Sequence, residues 1–399
     1  MFSSPTIVVG LEIGTSKICA MVGEVDKSGA LRLIGVGQAK SRGVRKGEIV
    51  DASPVEEDVR KAIADAEEMA DVEIRSVFLG ITGDHILGSN NRGVHTVLSQ
   101  DREIDADDVQ KVTQNARAAT LPPGHHIIHA IRQYFVVDGQ EGVVDPVGFA
   151  GRRLEVDLHL IHGNLDRLRN SINLVNTLQL EVDNIVFNGL AANLALLSPE
   201  EKDLGALVID LGAGTTDFVL CRQGVIRHSG VLAVGGDHVT NDLAIGLKIP
   251  LHRAEWLKTN HGSALADPQA RGQSIPGAPD AVSPEKPVNL EHLQRIMSVR
   301  LEEVFTLIAR ELGAAGLLDH LHAGVFLCGG GSRTPGLAAL AEQIFQSPAV
   351  LGHAHAASGL QSTLDQPEFA VPIGLVKFGA MNIKQQRDRR RPWWRPPWS

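Results

Sequence analysis

Short apolar runs separated by glycine open the chain: TIVVGLEIG (6–14), KICAMVGEV (17–25) and ALRLIGVGQA (30–39). Runs of this length, rich in β-branched residues and broken by turn formers, predict a meander of strands. Ser53-Pro54-Val55-Glu56 then reads as a capping box with proline at the first helical position. Val55, Val59, Ile63, Ala66 and Met69 follow at spacings of 4, 4, 3 and 3, which lays one apolar stripe along a helix. A strand is expected from Ile74 to Ile81. Residues 82–160 mix a charged helical stretch from Asp105 to Ala119, a Pro122-Pro123-Gly124 turn and the strands IIHAIRQYFVV and RRLEVDLHLI, and read as an insertion with its own small core. Asn164 caps a helix through Leu165, Leu168, Ile172, Val175 and Leu178. Further on, residues 264–289 are rich in Pro, Gly, Ala and Ser and predict a loop, after which a helical pattern runs from Leu290 to Leu312.

The plan of the first hairpin recurs at mid-chain. IVVGLEIGTSKICAMV (7–22) and LVIDLGAGTTDFVLC (207–221) share an apolar strand, an acidic residue, a Gly-and-Thr turn and a second apolar strand. Glu12 and Asp210 correspond at an offset of 210 − 12 = 198, about half the chain, which predicts a duplicated domain. Backbone N–H groups converging from a tight turn can hold a phosphate chain, and glycine permits the approach. Here the turn lies between two strands, and neither GxxxxGK[ST] nor GxGxxG occurs, so P-loop and dinucleotide frameworks are not supported. One such hairpin from each lobe would clamp phosphates from both sides. Glu12 and Asp210, each near the end of its strand, would hold a magnesium ion through its waters. A third glycine run, AGVFLCGGGSRTPGL (323–337), would let a flat adenosine lie against the backbone.

Composition narrows the class. At 399 residues the chain exceeds what one hydrophobic core usually sustains, so two lobes are expected. Cys19, Cys221 and Cys328 are odd in number and sit in apolar runs, which points to neither disulfides nor zinc. The histidines of HHIIH (125–129) enter a strand without the convergence a tetrahedral site needs. Neither a signal-peptide pattern nor a run of about 18 apolar residues is present. A net charge of −9 argues against nucleic acid as a partner. The segment Lys384–Ser399 departs from that average, with six cations against Asp388, or 6 − 1 = +5. Three of the four tryptophans, Trp393, Trp394 and Trp398, follow the cluster Arg389, Arg390 and Arg391. Indole rings favour the headgroup region and basic residues are drawn to anionic lipid by ~1 kcal/mol each, so an anionic membrane surface is the expected partner of this tail. Pro392, Pro396 and Pro397 forbid a regular helix there.

The motifs GLEIGTSK (10–17), DLGAGTTD (210–217) and LCGGGS (327–332) resemble the phosphate 1, phosphate 2 and adenosine motifs of the actin-like ATPase superfamily. Within it, SRGVRKGEIVD (41–51), AEEMADVEIRSVFLGITGDHI (66–86), HHIIHAIRQYFVVDGQEGVVDPVGFAG (125–151) and IVFNGLAANLALLSPEEKDLG (185–205) are similar to the FtsA family, over about residues 6–383. The resemblance implies a two-lobed α/β actin-like fold of duplicated ribonuclease-H-like domains with an inserted 1C subdomain. Its boundaries fall at 1–81, 161–204 and 365–383 for subdomain 1A, 82–160 for 1C, 205–234 and 323–364 for 2A, 235–322 for 2B and 384–399 for the tail. It implies ATP and magnesium as cofactors. Gly14, Thr15, Ser16 and Lys17 would meet the phosphates from the first lobe, and Gly212, Gly214, Thr215 and Thr216 from the second. Glu12, Asp210 and Asp217 would face the metal waters, while Gly235, Gly236, Glu255, Lys258, Gly330, Gly331 and Ser332 would enclose the nucleoside. Asn188 stands where related ATPases place a water-orienting Gln or Glu; asparagine cannot act as a base, so hydrolysis is expected to be weak or absent.

The family further implies end-to-end self-association, contact of 1C with later division proteins, and binding of the FtsZ C-terminal tail by 2B at Arg300. The implied place is the cytoplasmic side of the inner membrane at the septum. Two alternatives share the fold: a pilus-assembly ATPase platform, which would not need the Arg-Trp tail, and a small-molecule kinase, which would need a catalytic base that the chain does not offer.

Overall fold

The computed structural model describes residues 6–99, 101–276, 287–355, 358–360 and 365–390, with side chains up to Lys384. The first sheet orders its strands Glu181–Phe187, Ser76–Ile81, Thr6–Ile13, Lys17–Val25, Leu31–Lys40 and Ser358–Gly359. Its three opening strands form the expected antiparallel meander, Thr6 pairing with Val25 and Lys17 with Lys40. The second sheet runs Val225–Leu232, Thr216–Arg222, Ala206–Leu211, Gly324–Cys328 and Ala349–Leu351. In each, a parallel strand joins the outer side of the hairpin's first strand, Gly10 opposite Phe78 and Ala206 opposite Gly324. The repeat read from Glu12 and Asp210 is thus a repeat of topology, and it sets both glycine turns at the same edge of their sheets.

Helices cover the sheets where glycine lets them approach. A Cβ at Gly37 would run into the backbone of Ala62 and Ala66, which is how the helix Ala52–Ala70 lies so close to the third strand. That helix begins earlier than expected. Its N-cap is Asp51, not Ser53, and no side chain caps it. The preceding turn explains the shift: Val50 and Asp51 donate their N–H groups to Gly43 O, which fixes the entry, and Pro54 then falls inside the first turn, where its missing N–H costs nothing. Asn164 does cap the helix Leu165–Thr177, accepting from Asp166 N and Arg167 N. The final helix, Ala370–Arg390, lies between the first strand and the helix Asn188–Leu196, with Ile373, Leu375 and Val376 fully buried. It continues past the expected boundary at 384 to Arg390, and the calls on Arg391, Trp393, Trp394 and Trp398 lie outside the described residues, as do the side chains of Arg389 and Arg390. Among the described residues no helix is long and apolar enough to cross a membrane.

A third sheet, Leu87–Thr96, Arg153–Asn164, His125–Val137 and Gln140–Val143, has its own core around Phe135, Leu154, Val156 and Val112. It also meets the second lobe. His159, fully buried, places Nδ1 2.8 Å from Asn90 Oδ1 and Nε2 2.7 Å from Ser229 Oγ, while Asn90 and Gln133 donate to the carbonyls of Arg227 and Ile226. Burial drops the His159 pKa to about 3, so the ring is neutral in this bridge.

Candidate functional site

The two glycine turns close in the same way. Gly14 N donates to Lys17 O and Gly212 N to Thr215 O, both at 3.0 Å. A Cβ at Gly14 would stand 2.8 Å from Lys17 O, so the tight turn requires glycine there. The turns face each other across a cleft of about 490 Å³, and Gly214 packs directly against the Thr15 hydroxyl. Glu12, Gly14, Thr15, Ser16 and Lys17 line one wall, Asp210, Gly212, Gly214, Thr215 and Asp217 the other. Gly236, Glu255 and Lys258 border the same cleft, as do Gly330 and Gly331. Lys258 binds Glu255 at 2.6 Å and donates to Gly236 O at 3.1 Å, which ties the helix Leu251–His261 to the start of the helix Gly236–Leu247.

Three expected residues do not reach the cleft. Thr216 is fully buried and donates to Val234 O at 2.7 Å, because it alternates to the far side of its strand from Thr215. The Ser332 hydroxyl is spent on Gly329 O at 2.7 Å inside its own turn. Gly235 lies behind the second loop, where a Cβ would stand 2.5 Å from Gly212 O. Lys17 lines the cleft but already binds Glu12 at 3.0 Å and Glu368 O at 2.6 Å, with the Phe369 ring 5.1 Å away. Gln38, Thr82, Asp237 and Arg333 are among the further residues that line the cleft without having been expected. Arg333 follows the third glycine run and forms a two-point ion pair with Glu368 at 2.9 and 2.8 Å.

The floor of the cleft is acidic and buried. Burial, reinforced by Glu12, pushes Asp210 up to about 7, and burial beside Asp210 holds Asp217 well above the usual carboxylate range. Burial works against the Lys17 charge, yet Glu12 keeps its pKa above the ordinary value. Three carboxylates against one committed ammonium leave room for a cation, and an all-oxygen donor set suits magnesium. Asn188, the first residue of its helix, is 4% exposed and lines the cleft, and its Oδ1 has no hydrogen-bond partner among the described residues. A buried orphan acceptor is costly unless a donor such as water occupies the adjoining space.

Two lobes of repeated topology, closing paired glycine hairpins over an acidic cleft, define an actin-like ATPase fold. Solved structures agree on the fold: a "PilM-PilN type IV pilus biogenesis complex" at TM-score 0.67 and 18% identity over 94% of this chain and 98% of that one, and MreB5 of Spiroplasma citri bound to ADP at 0.58 and 16%, over 97% and 99%. A family model described as cell division protein FtsA matches residues 207–374, and one described as the SHS2 domain inserted in FtsA matches 83–162. FtsA of Pseudomonas aeruginosa is 36% identical over 385 residues, covering 96% of this chain and 91% of its own length. That of Escherichia coli K12 is 34% identical over 380 residues, covering 94% and 90%. The chain belongs to the FtsA family of cell division proteins.

Proposed function

We propose that the cleft binds ATP with magnesium, and that the protein links FtsZ filaments to the cytoplasmic face of the inner membrane at the septum. The observation that carries the nucleotide reading is the convergence of one glycine hairpin from each lobe on a single acid-floored cleft. Thr15, Ser16 and Gly214 face the phosphates from the turns that Gly14, Gly212 and Thr215 close, Asp210 and Glu12 accept from the metal's waters, and Gly330 and Gly331 leave a flat wall for adenosine. When bound, the magnesium ion neutralises charge on the phosphates. Asn188 orients a water without accepting its proton, so turnover is slow. The pilus-platform alternative shares the fold at 18% identity, whereas the division relatives exceed 30% along nearly the whole chain.

The FtsZ tail is assigned to a shallow groove of about 360 Å³ bordered by Asp242, His292, Arg295, Ile296, Val299, Arg300 and Glu303 on the helix Leu290–Ala314 and its neighbour. Arg300 is held there by Asp242 through two bonds, at 2.6 and 3.1 Å, and by Glu303. Arg300→Glu should weaken binding of an FtsZ tail peptide by about tenfold in a calorimetric titration, since it reverses one charge and abandons Asp242. Unchanged affinity would remove the groove from the contact.

Filaments of this chain, joined end to end, would present many tails to one membrane, so weak single anchors add up. Replacing Trp393, Trp394 and Trp398 together by alanine should release the protein from anionic vesicles in co-sedimentation, with and without FtsZ. Retention on the vesicles would place the anchor elsewhere.

A further inference from the structure

Where the two phosphate-facing turns meet, a third segment reaches between them. Val44 pairs with Ile49 and Arg45 with Glu48, leaving Lys46-Gly47 as a two-residue turn. Their φ values are 51° and 77°, the doubly left-handed geometry that a tight hairpin favours. The tip of this turn packs against residues that line the cleft. Gly47 N donates to Thr15 Oγ1 at 3.0 Å, and a Cβ on Gly47 would stand 2.7 Å from Thr82 Cγ2 and 3.3 Å from Thr215 Cγ2.

Beneath it, Thr82 Oγ1 donates to Asp217 Oδ1 at 2.6 Å, and Thr215 Oγ1 donates to Asp217 Oδ2 at 3.3 Å. Thr82 follows the strand Ser76–Ile81 of the first lobe, whereas Asp217 sits in the hairpin of the second. The Thr82 bond therefore crosses from lobe to lobe. Thr82, Thr215 and Asp217 are all buried, so water does not compete for the bond. Each Asp217 oxygen commits one lone pair to a threonine, which fixes the carboxylate plane and leaves the remaining lone pairs to the cleft it lines. On the phosphate side, Thr15 accepts from Gly47, so its own proton is free to donate into the cleft.

We propose that Thr82 is a positioning residue of the nucleotide site: its hydroxyl fixes Asp217 across the lobe boundary for the metal side of the clamp, and side-chain-free Gly47 lets the hairpin turn close over that bond. The proposal rests on the magnesium-nucleotide reading above and adds to it a residue that acts through another.

The test compares wild type, Thr82→Val and Thr82→Ser for affinity to ATP with magnesium and to ATP in EDTA, with the melting temperature of the nucleotide-free protein alongside. Valine keeps the shape and removes the donor. Thr82→Val should lose about tenfold in affinity for magnesium-ATP, as expected for one charge-assisted hydrogen bond, and less than about twofold in EDTA. Thr82→Ser should recover affinity to within about threefold of wild type, as the retained hydroxyl predicts. Equal losses with and without magnesium, wild-type affinity in Thr82→Val, or failure of serine to restore binding would each overturn the proposal. A wild-type protein that binds no nucleotide in either buffer would overturn the nucleotide reading itself, and this inference with it.

Discussion

Asp210→Ala is expected to abolish the rise in melting temperature that ATP and magnesium give the wild-type protein. The carboxylate stands at the end of a fully buried strand, on the floor of the cleft, with Asp217 opposite it in the hairpin and Glu12 close enough to raise its pKa. Its burial costs free energy that Lys17, already committed to Glu12 and Glu368, and a hydrogen bond with Cys328 return only in part. A bound cation would return it. Ligand at a hundredfold excess over Kd stabilises the folded state by about 2.7 kcal/mol, so the wild type should show a shift of several degrees and the variant none. The nucleotide-free variant should melt at or above the wild-type temperature, since removing a strained buried charge relieves the fold. That second readout separates lost binding from lost folding. An undiminished ATP shift in the variant would remove Asp210 from the metal side of the site.

Gly374→Val is expected to cost more than about 3 kcal/mol of stability, the upper end for overpacking. Gly374 lies in the helix Ala370–Arg390, and a Cβ there would collide with the backbone carbonyl and Cα of Ala191. Backbone cannot rotate away as a side chain can. The opposite side is equally closed, because Gly10 of the first strand already takes up the approach of Leu375 and Pro372. Relief would require the helix to lift from a core in which Ile373, Leu375 and Val376 are fully buried. Denaturant melts of the variant and the wild type measure the difference. A loss under about 1 kcal/mol would mean that the helix sits less tightly than described.

The parts of this architecture that were legible in the sequence are those encoded locally. A glycine turn flanked by apolar strands and tipped by an acid specifies its own hairpin, so Glu12, Gly14, Asp210 and Gly212 could be placed from their neighbours alone. Which side of the hairpin each neighbour faces depends on strand alternation and on competing acceptors, and there the reading failed. Thr216 turns to Val234 O, and Ser332 folds back on Gly329 O. Thr82 and Gln38 reach the cleft from segments distant from the glycine turns, and short-range patterns carry no trace of that convergence, whereas Arg333 sits directly after the third glycine run. Gly374 and Gly379, two glycines inside an otherwise apolar helical run, were a usable signal of close helix packing. The helix start at Ala52 shows a different limit. Ser53-Pro54-Val55-Glu56 has the composition of a capping box, but Gly43 O, eight residues upstream of Asp51, fixed where the helix begins.

The most direct measurement is a crystal structure of the chain grown with magnesium and a non-hydrolysable ATP analogue. The account predicts phosphates between the Gly14 and Gly212 turns, a metal ion beside Asp210, and the adenosine against Gly330 and Gly331. A nucleotide bound on another face, or turns that remain in contact with nothing between them at saturating ligand, would contradict it.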